Sequence, residues 1–247
     1  MKNIRKFLCL ALALIMVLSL AACGSKSDDA QDNTNDAQET AGQPIEGGTF
    51  VYAIEEPITS LNWYNNNFTD LGKQVLSNLY DPMWKNNADG SLDYRLAKNV
   101  DISEDGTTYT MTLRDDIYWS DGEKITTDDI VFTLDTLAEP EVAPSTATGY
   151  KVDGEFCTYE KVSDTEIVFT IGRASNLFKK ALGALYVLPA HCFEGVPATE
   201  VLTCEQNDTI ATSGAFVVDS FSVGEKLVCV KNDKYYRTPA HIDGFEV

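Results

Sequence analysis

Residues 105–133 combine a strand, two turns and a helix start, and this stretch constrains the fold more than any other part of the sequence. Between residues 108 and 113, three apolar side chains alternate with three threonines. A period of two places the apolar side chains on one face of a strand. Thr126, followed by Asp129, resembles a capping box in which Asp replaces the usual Glu or Gln. The stretch therefore predicts a half-buried strand followed by an amphipathic helix.

Trp119 lies between this strand and the helix, directly before a turn formed by Ser120, Asp121 and Gly122. Asp and Gly favour tight turns, because Asp bonds its own backbone and Gly tolerates a positive φ. We interpret Trp119 as a structural anchor that is buried against the helix starting near Thr126. Contact with a ligand is the alternative interpretation.

The first 22 residues have the features of a secretory signal peptide. A basic start precedes a small or apolar run at residues 7–18, which is too short to span a bilayer. Leu20-Ala21-Ala22-Cys23 then resembles the lipobox of bacterial lipoproteins. This resemblance implies cleavage after residue 22 and a lipid on the thiol of Cys23. An ordinary secretory peptide with an incidental Cys is the alternative.

Residues 23–43 follow as a predicted tether. They contain no large apolar side chain after Cys23, so they cannot bury enough surface to offset the entropy of ordering. We therefore predict a lipidated Cys23 and a disordered acidic tether over 23–43, which attach the protein to the extracytoplasmic face of the cell membrane. The folded part is predicted to span 44–247.

The net charge of −19 excludes one class of partner. Such a surface repels the phosphates of nucleic acids, so we predict no DNA or RNA binding.

Cysteines in the folded part allow two interpretations. Cys157, Cys192, Cys204 and Cys229 can form three alternative sets of disulfides, and an extracytoplasmic compartment permits them. We favour four buried free thiols, because Cys157 and Cys229 lie in strand-like segments where a small apolar side chain packs well.

Hydrophobic periodicity predicts a mixed α/β fold for the folded part. The predicted strands are 49–54, 99–103, 107–114, 150–152, 157–162, 166–171, 185–188, 216–221, 227–231 and 242–247. The predicted helices follow Thr69, start at Asp128, and span 176–182.

Several motifs resemble the peptide-binding (family 5) extracytoplasmic solute-binding proteins of ABC importers. The Asp-Gly turn at 105–106, the Thr-rich strand and the Trp-Ser-Asp-Gly turn at 119–122 are similar to the family signature. Weaker similarities follow in the family's order: Gly47-Gly48-Thr49, Ser60-Leu61-Asn62, Asn78-Leu79-Tyr80-Asp81, Leu96-Ala97, Ser213-Gly214-Ala215-Phe216, Lys231 to Tyr236, and Ile242-Asp243.

This resemblance implies the first lobe of a periplasmic-binding-protein type II-like fold, with a mixed sheet and flanking helices. The signature would lie in an inserted subdomain at approximately 76–190. Family members are longer and close two lobes over a peptide. We therefore expect 44–247 to be the N-terminal lobe of a longer protein, incomplete relative to the two-lobe fold.

The resemblance also implies a function. We expect a substrate-binding lipoprotein that captures an oligopeptide or dipeptide and delivers it to the permease subunits of an ABC transporter. The alternatives are a truncated or structural surface lipoprotein, or a family member that binds a nickel chelate, haem or a sugar.

Binding an extended peptide requires groups that pair with its backbone and roomy pockets for its side chains. Asn amides donate and accept hydrogen bonds, aromatic rings wall pockets, and an irregular loop at a strand end is a common binding element. The ligand-binding candidates are Trp63, Asn65, Asn66, Asn67, Phe68, Gly214 and Phe216. A surface loop whose Asn side chains satisfy turns is the alternative for 60–68.

The sequence indicates no enzyme, no cofactor and no metal site. His191 and Cys192 are neighbours, and neighbouring residues on a strand point to opposite faces, so we do not interpret them as a catalytic pair. With Cys204 they also lack the ligand spacing of zinc sites.

Overall fold

Two four-stranded sheets organise the chain in this computed structural model, which describes residues 44–65, 70–142 and 144–247. The signal peptide, the lipid-bearing Cys23 and the tether predicted for residues 1–43 lie outside the described residues. Within the described ranges, no helix is both long and apolar enough to cross a bilayer.

The elements of the described chain are short. The strands are β1 (Thr49–Val51), β2 (Trp84–Asn86), β3 (Leu92–Tyr94), β4 (Ala97–Ile102), β5 (Thr108–Leu113), β6 (Lys151–Val152), β7 (Glu155–Phe156), β8 (Thr158–Ser163), β9 (Glu166–Thr170), β10 (Phe216–Ser222), β11 (Lys226–Lys231) and β12 (Gly244–Glu246). The α-helices are α1 (Asp70–Leu76), α2 (Thr127–Ala138) and α3 (Asn176–Gly183). The 3-10 helices are Ser145–Tyr150, Ala190–Phe193 and Glu205–Asp208.

The first sheet joins the two ends of the described chain. Its strand order is β1-β12-β11-β10, with β1 parallel to β12 and the other pairs antiparallel. Phe216 on β10 packs edge-on against Phe245 on β12, with ring centroids 5.1 Å apart. The core of this sheet therefore depends on residues from separate parts of the chain.

The second sheet comes from the middle of the chain and is antiparallel, in the order β4-β5-β9-β8. The predicted alternation on β5 is confirmed, because Tyr109, Met111 and Leu113 are buried while the threonines between them are partly exposed. Phe178 of α3 covers this face and packs edge-on against Tyr109 at 5.1 Å. The apolar row thus forms a core between sheet and helix.

The predicted capping box at the start of α2 is confirmed. The hydroxyl of Thr126 accepts a hydrogen bond from the backbone N–H of Asp128 at 3.2 Å. In return, the Asp129 carboxylate accepts from the backbone N–H of Thr126 at 2.9 Å. These bonds satisfy donors that the first helical turn leaves without partners.

Trp119 is buried, as predicted, with 1% of its surface exposed. It lies beside α2, close enough to influence Asp129. Burial raises the pKa of the Asp129 carboxyl group, and hydrogen bonds from the backbone N–H groups of Thr126 and Ala190 lower that pKa in part.

The predicted strand at Leu185–Leu188 is wrong. Leu185, Val187 and Leu188 are buried and Tyr186 is half-buried, but the segment has no strand conformation. Its backbone instead pairs with side chains: the N–H of Leu188 donates to the Thr133 hydroxyl at 2.8 Å, and the N–H of Tyr186 donates to the Tyr64 hydroxyl at 3.2 Å. Hydroxyl groups therefore satisfy donors that a sheet would otherwise pair.

The four cysteines of the described chain are free thiols. Cys157 and Cys229 are buried as predicted, whereas Cys192 and Cys204 are only half-buried, contrary to the prediction. Burial raises the pKa of both Cys157 and Cys229 to about 12. Burial and a raised pKa both reduce the reactivity of these two thiols, because the thiolate is the nucleophile and it must be accessible.

We therefore expect iodoacetamide at about pH 8 to alkylate Cys192 and Cys204 well before Cys157 and Cys229 in the folded protein. Peptide mass spectrometry over time measures the four rates. In denaturant all four should react at similar rates. Equal labelling of Cys157 and Cys204 in the folded protein would contradict the described burial.

Candidate ligand-binding surface

Trp63 stacks on Tyr186, with ring centroids 3.5 Å apart and ring planes at 22°. Both rings are partly exposed, so the stack contributes to the core and also presents aromatic surface to solvent. Trp63 belongs to the predicted binding loop, whereas Tyr186 follows α3 in the segment that was wrongly predicted as a strand.

The neighbours of Trp63 fix its position. The Tyr64 hydroxyl donates to the carbonyl of Tyr186 at 2.8 Å, which ties the loop to the segment beneath the stack. The buried Asn62 amide donates to the Asn207 side chain at 2.8 Å, and its oxygen accepts from the backbone N–H of Tyr64 at 2.9 Å. Trp63 is therefore held on a rigid part of an irregular loop.

Asp81 is the centre of a second group of contacts and is only 4% exposed. The hydroxyls of Tyr235 and Tyr236 donate to its Oδ2 at 2.6 and 2.8 Å. The Arg95 Nη1 lies 3.7 Å from its Oδ1. Burial, reinforced by the charge of Asp81, raises the pKa of both tyrosines above the ordinary range, so both remain neutral donors.

Further charges surround this carboxylate. Asp93 accepts from Arg95 at 2.7 Å and from Arg237 at 3.0 Å, so it bridges two guanidinium groups. The Arg114 guanidinium lies 4.9 Å from the ring centroid of Tyr236, within the range of a cation–π contact. Tyr236 is thus held by Asp81 at its hydroxyl and by Arg114 at its ring face.

Tyr186 of the Trp63–Tyr186 stack lies within electrostatic range of Asp81 and Arg95. Burial raises the pKa of Tyr186 to about 12, while the charge of Asp81 also raises it and that of Arg95 lowers it. We call this combined region the aromatic surface, and we define it by the following residues: Trp63, Asp81, Arg95, Tyr186, Tyr235 and Tyr236. It offers aromatic faces beside fixed charges, which suits ligand binding.

The other loop candidates are only partly described. The backbone N–H of Asn65 donates to the carbonyl of Asn62 at 3.2 Å, and its side chain donates to the carbonyl of Leu202 at 3.4 Å. Asn66, Asn67 and Phe68 lie outside the described residues, so their role in binding stays a prediction.

Gly214 lies beneath the aromatic surface. Its N–H donates to the carbonyl of Leu79 at 2.8 Å, and its carbonyl accepts from the Asn232 amide at 2.9 Å. The preceding Ser213 hydroxyl accepts from the backbone N–H of Asp81 at 3.2 Å. Gly214 therefore supports the segment that carries Asp81, and its contact with a ligand stays a prediction.

Phe216 is buried on the first sheet, where it packs against Phe245. Phe216 itself also lines an open depression, together with Phe50, Tyr52 and Ile242. The structure thus places Phe216 in the core beside this depression, and its contact with a ligand also stays a prediction.

Sequence reasoning did not select Asp81, Tyr235 or Tyr236 as site residues. They appeared only inside the motifs at 78–81 and 231–236. Their positions could have been indicated by the motifs themselves. Asp81 ends the motif at 78–81 and the tyrosine pair ends the motif at 231–236, and both motifs resemble the same family.

Comparison with known proteins supports the family resemblance that these motifs indicate. A family model described as bacterial extracellular solute-binding proteins, family 5, middle region, matches residues 92–247. The oligopeptide-binding protein AppA of Bacillus subtilis is 26% identical over 245 residues, which cover 97% of this chain and 43% of that relative. A dipeptide-binding protein of Lactococcus lactis is 25% identical over 186 residues, which cover 69% of this chain and 30% of that protein.

Solved structures show the same fold. The ABC transporter substrate-binding protein CtaP of Listeria monocytogenes matches with a TM-score of 0.73 and 25% identity, over 81% of this chain and 40% of that one. Bacillus subtilis AppA in complex with a nonapeptide matches with a TM-score of 0.72 and 23% identity, over 83% of this chain and 40% of that one.

This chain spans less than half the length of these relatives, since it covers 43% of AppA. Its mixed α/β structure corresponds to part of the periplasmic-binding-protein fold. The family model covers most of the chain, and the structural matches agree with it. The chain therefore belongs to the bacterial extracellular solute-binding proteins of family 5.

Proposed function

We propose that this chain is part of the substrate-binding component of a bacterial ABC importer, which captures peptides outside the cytoplasmic membrane and delivers them to a permease. Membership of family 5 supports binding of a solute, and the names of AppA and the Lactococcus lactis relative support a peptide. The proposed role is binding and delivery, without enzymatic chemistry.

The observation that carries this proposal is the aromatic surface. A peptide side chain can lie against the exposed parts of Trp63 and Tyr186, because aromatic faces bury apolar area at little entropic cost. The guanidinium of Arg95, which is 20% exposed and within electrostatic range of Tyr186, can attract a carboxylate or a carbonyl group. The hydrogen bonds of Asp81 hold this arrangement in place before a ligand arrives.

We also propose a domain organisation that the two sheets support. Residues 44–247 form the N-terminal lobe, and residues from about 76 to 190 form an inserted subdomain. This division is supported by the first sheet, which uses both ends of the described chain, and by the second sheet, which uses only its middle. The signal peptide at 1–22 and the lipidated tether at 23–43 would hold the lobe at the membrane.

We expect Trp63→Ala to weaken peptide binding about tenfold or more, because it removes a stacked aromatic face from the aromatic surface. Isothermal titration of the gene product that contains this chain, with a defined peptide that binds it, measures the change. Tyr118→Ala is the matched control, because Tyr118 is also an exposed aromatic residue but lies outside the aromatic surface. Equal affinities for Trp63→Ala and the unaltered protein would exclude this surface as the peptide site.

A further inference from the structure

Asp121, His191 and Cys192 form a compact cluster of residues that do not belong to the aromatic surface. The His191 Nε2 lies 2.7 Å from the Asp121 Oδ2 and 3.5 Å from the Cys192 Sγ. One ligand atom from each of the three residues lies within 4.8 Å of the others. A carboxylate, an imidazole and a thiol therefore converge on one point, although Asp121 is 70 positions away from His191.

The local backbone differs from the strand that the sequence argument assumed for His191 and Cys192. His191 and Cys192 lie on the 3-10 helix Ala190–Phe193, which the Cys192 N–H closes by donating to the carbonyl of Pro189 at 2.9 Å. On a strand the two side chains would point to opposite faces. The tight helical turn instead brings the sulfur and the imidazole to the same side, so the assumption that this pair lies on a strand is wrong.

Contacts outside the cluster hold Asp121 against the 3-10 helix. The backbone N–H of Glu123 donates to the Asp121 Oδ1 at 3.1 Å, while Oδ2 faces His191. The same turn is tied to a neighbouring segment, because Ser120 and Thr212 exchange two hydrogen bonds of 2.8 and 3.0 Å. Asp121 is thus positioned independently of its pairing with His191.

The Cys192 sulfur accepts a backbone hydrogen bond and lies beside an open cavity. The backbone N–H of Ala211 donates toward the Cys192 sulfur, a contact that also stabilises a metal-bound thiolate. Asp121, Cys192 and Ala211 border a cavity of about 430 Å³, which has room for water beside the cluster.

We propose that Asp121, His191 and Cys192 bind a zinc ion, with water from the adjacent cavity as a fourth ligand. Zinc accepts nitrogen, sulfur and oxygen ligands together and favours four of them in a tetrahedron. Calcium and magnesium instead require sets of oxygen ligands, which this cluster does not supply. Zinc replaces the thiol proton of Cys192, which leaves to solvent, and binds the Asp121 carboxylate and the Nε2 of a neutral His191 imidazole whose proton lies on Nδ1.

The ion would link the Trp-Ser-Asp-Gly turn to the 3-10 helix and thereby stabilise the folded lobe. A ligand that binds only the folded state raises stability in proportion to the logarithm of its concentration above Kd. This site is independent of the proposed peptide function, because it lies on other residues and requires no transport substrate.

Titration of zinc into the reduced, metal-free protein tests the proposal. We expect saturable binding at Cys192, a higher Tm with zinc, and a thiolate-to-cobalt charge-transfer absorption when cobalt replaces zinc. Cys192→Ser, His191→Gln and Asp121→Asn should each weaken this binding about tenfold or more, since loss of even an outer-shell partner costs 10–100-fold.

Two control variants match these changes. Cys204→Ser removes another half-buried thiol, and His241→Gln removes another exposed histidine paired with a carboxylate, Glu46, at 2.6 Å. Neither should change zinc affinity. In the unaltered protein, zinc should also protect Cys192 but not Cys204 from alkylation, a measurement that requires no variant to fold. Absence of zinc binding, absence of protection at Cys192, or unchanged affinity in Cys192→Ser and His191→Gln would overturn the proposal.

Discussion

Replacing Asp81 by Ala is expected to lower the free energy of unfolding by about 3–5 kcal/mol, because it removes a buried carboxylate on which several polar groups depend. The hydroxyls of Tyr235 and Tyr236 would lose their acceptor, and Arg95 would lose one of its two carboxylates. Leaving the two tyrosine hydroxyls without an acceptor costs more than the net strength of the bonds themselves. Urea unfolding followed by circular dichroism measures the change.

Asp116→Asn is the matched control for Asp81→Ala. Asp116 also binds an arginine, Arg114, at 2.6 Å, but its side chain is 51% exposed. Exposed ion pairs contribute about 0–1 kcal/mol, so this variant should unfold almost like the unaltered protein. If the Asp81 and Asp116 variants lose equal stability, Asp81 is not the buried centre described above.

The second large effect is expected for Gly214→Ala, which should destabilise the protein by about 3 kcal/mol. A Cβ at Gly214 would lie 2.6 Å from the carbonyl oxygen of Asn78 and 2.6 Å from the carbonyl carbon of Leu79. Both are backbone atoms, so relief requires moving the chain that leads to Asp81. We therefore expect weaker peptide binding as well as a lower urea midpoint.

Gly172→Ala provides the comparison for this substitution. A Cβ at Gly172 would meet no atom within 4 Å, and its φ lies outside the left-handed region. Its replacement should leave stability unchanged or raise it slightly, because Ala reduces the entropy of the unfolded chain. Similar losses at both glycines would show that close backbone approach is not the cause at Gly214.

Local patterns were sufficient to predict the elements around residues 105–133. The strand predicted for 107–114 spans Thr108–Leu113, and the helix follows the predicted cap at Thr126. Both predictions depend on neighbouring residues, because alternation determines the buried face of a strand and the cap satisfies the first helical turn. No knowledge of distant parts of the chain was needed.

The failure at Leu185–Leu188 has a tertiary cause. A short apolar run between turn signals fits a buried strand as well as other buried segments. The partners of its backbone are the hydroxyls of Thr133 and Tyr64, which are 55 and 122 residues away. The sequence pattern does not show which distant side chains satisfy a buried N–H.

The same limit applies to the aromatic surface. Trp63 was selected because its loop is irregular and rich in aromatics and amides, a local property. Asp81 and Tyr236 are 155 residues apart, and only the folded topology brings them together. The mistaken strand near His191 similarly concealed the contact with Asp121.

We propose that this chain is part of a receptor for peptides, and a calorimetric titration of the gene product that contains it tests that proposal most directly. The ligands are mixed dipeptides and oligopeptides, followed by a nickel chelate, haem and sugars. We predict saturable heat with peptides and none with the other ligands. Saturable binding of one of the other ligands without any peptide binding, or no binding at all, would contradict the claim.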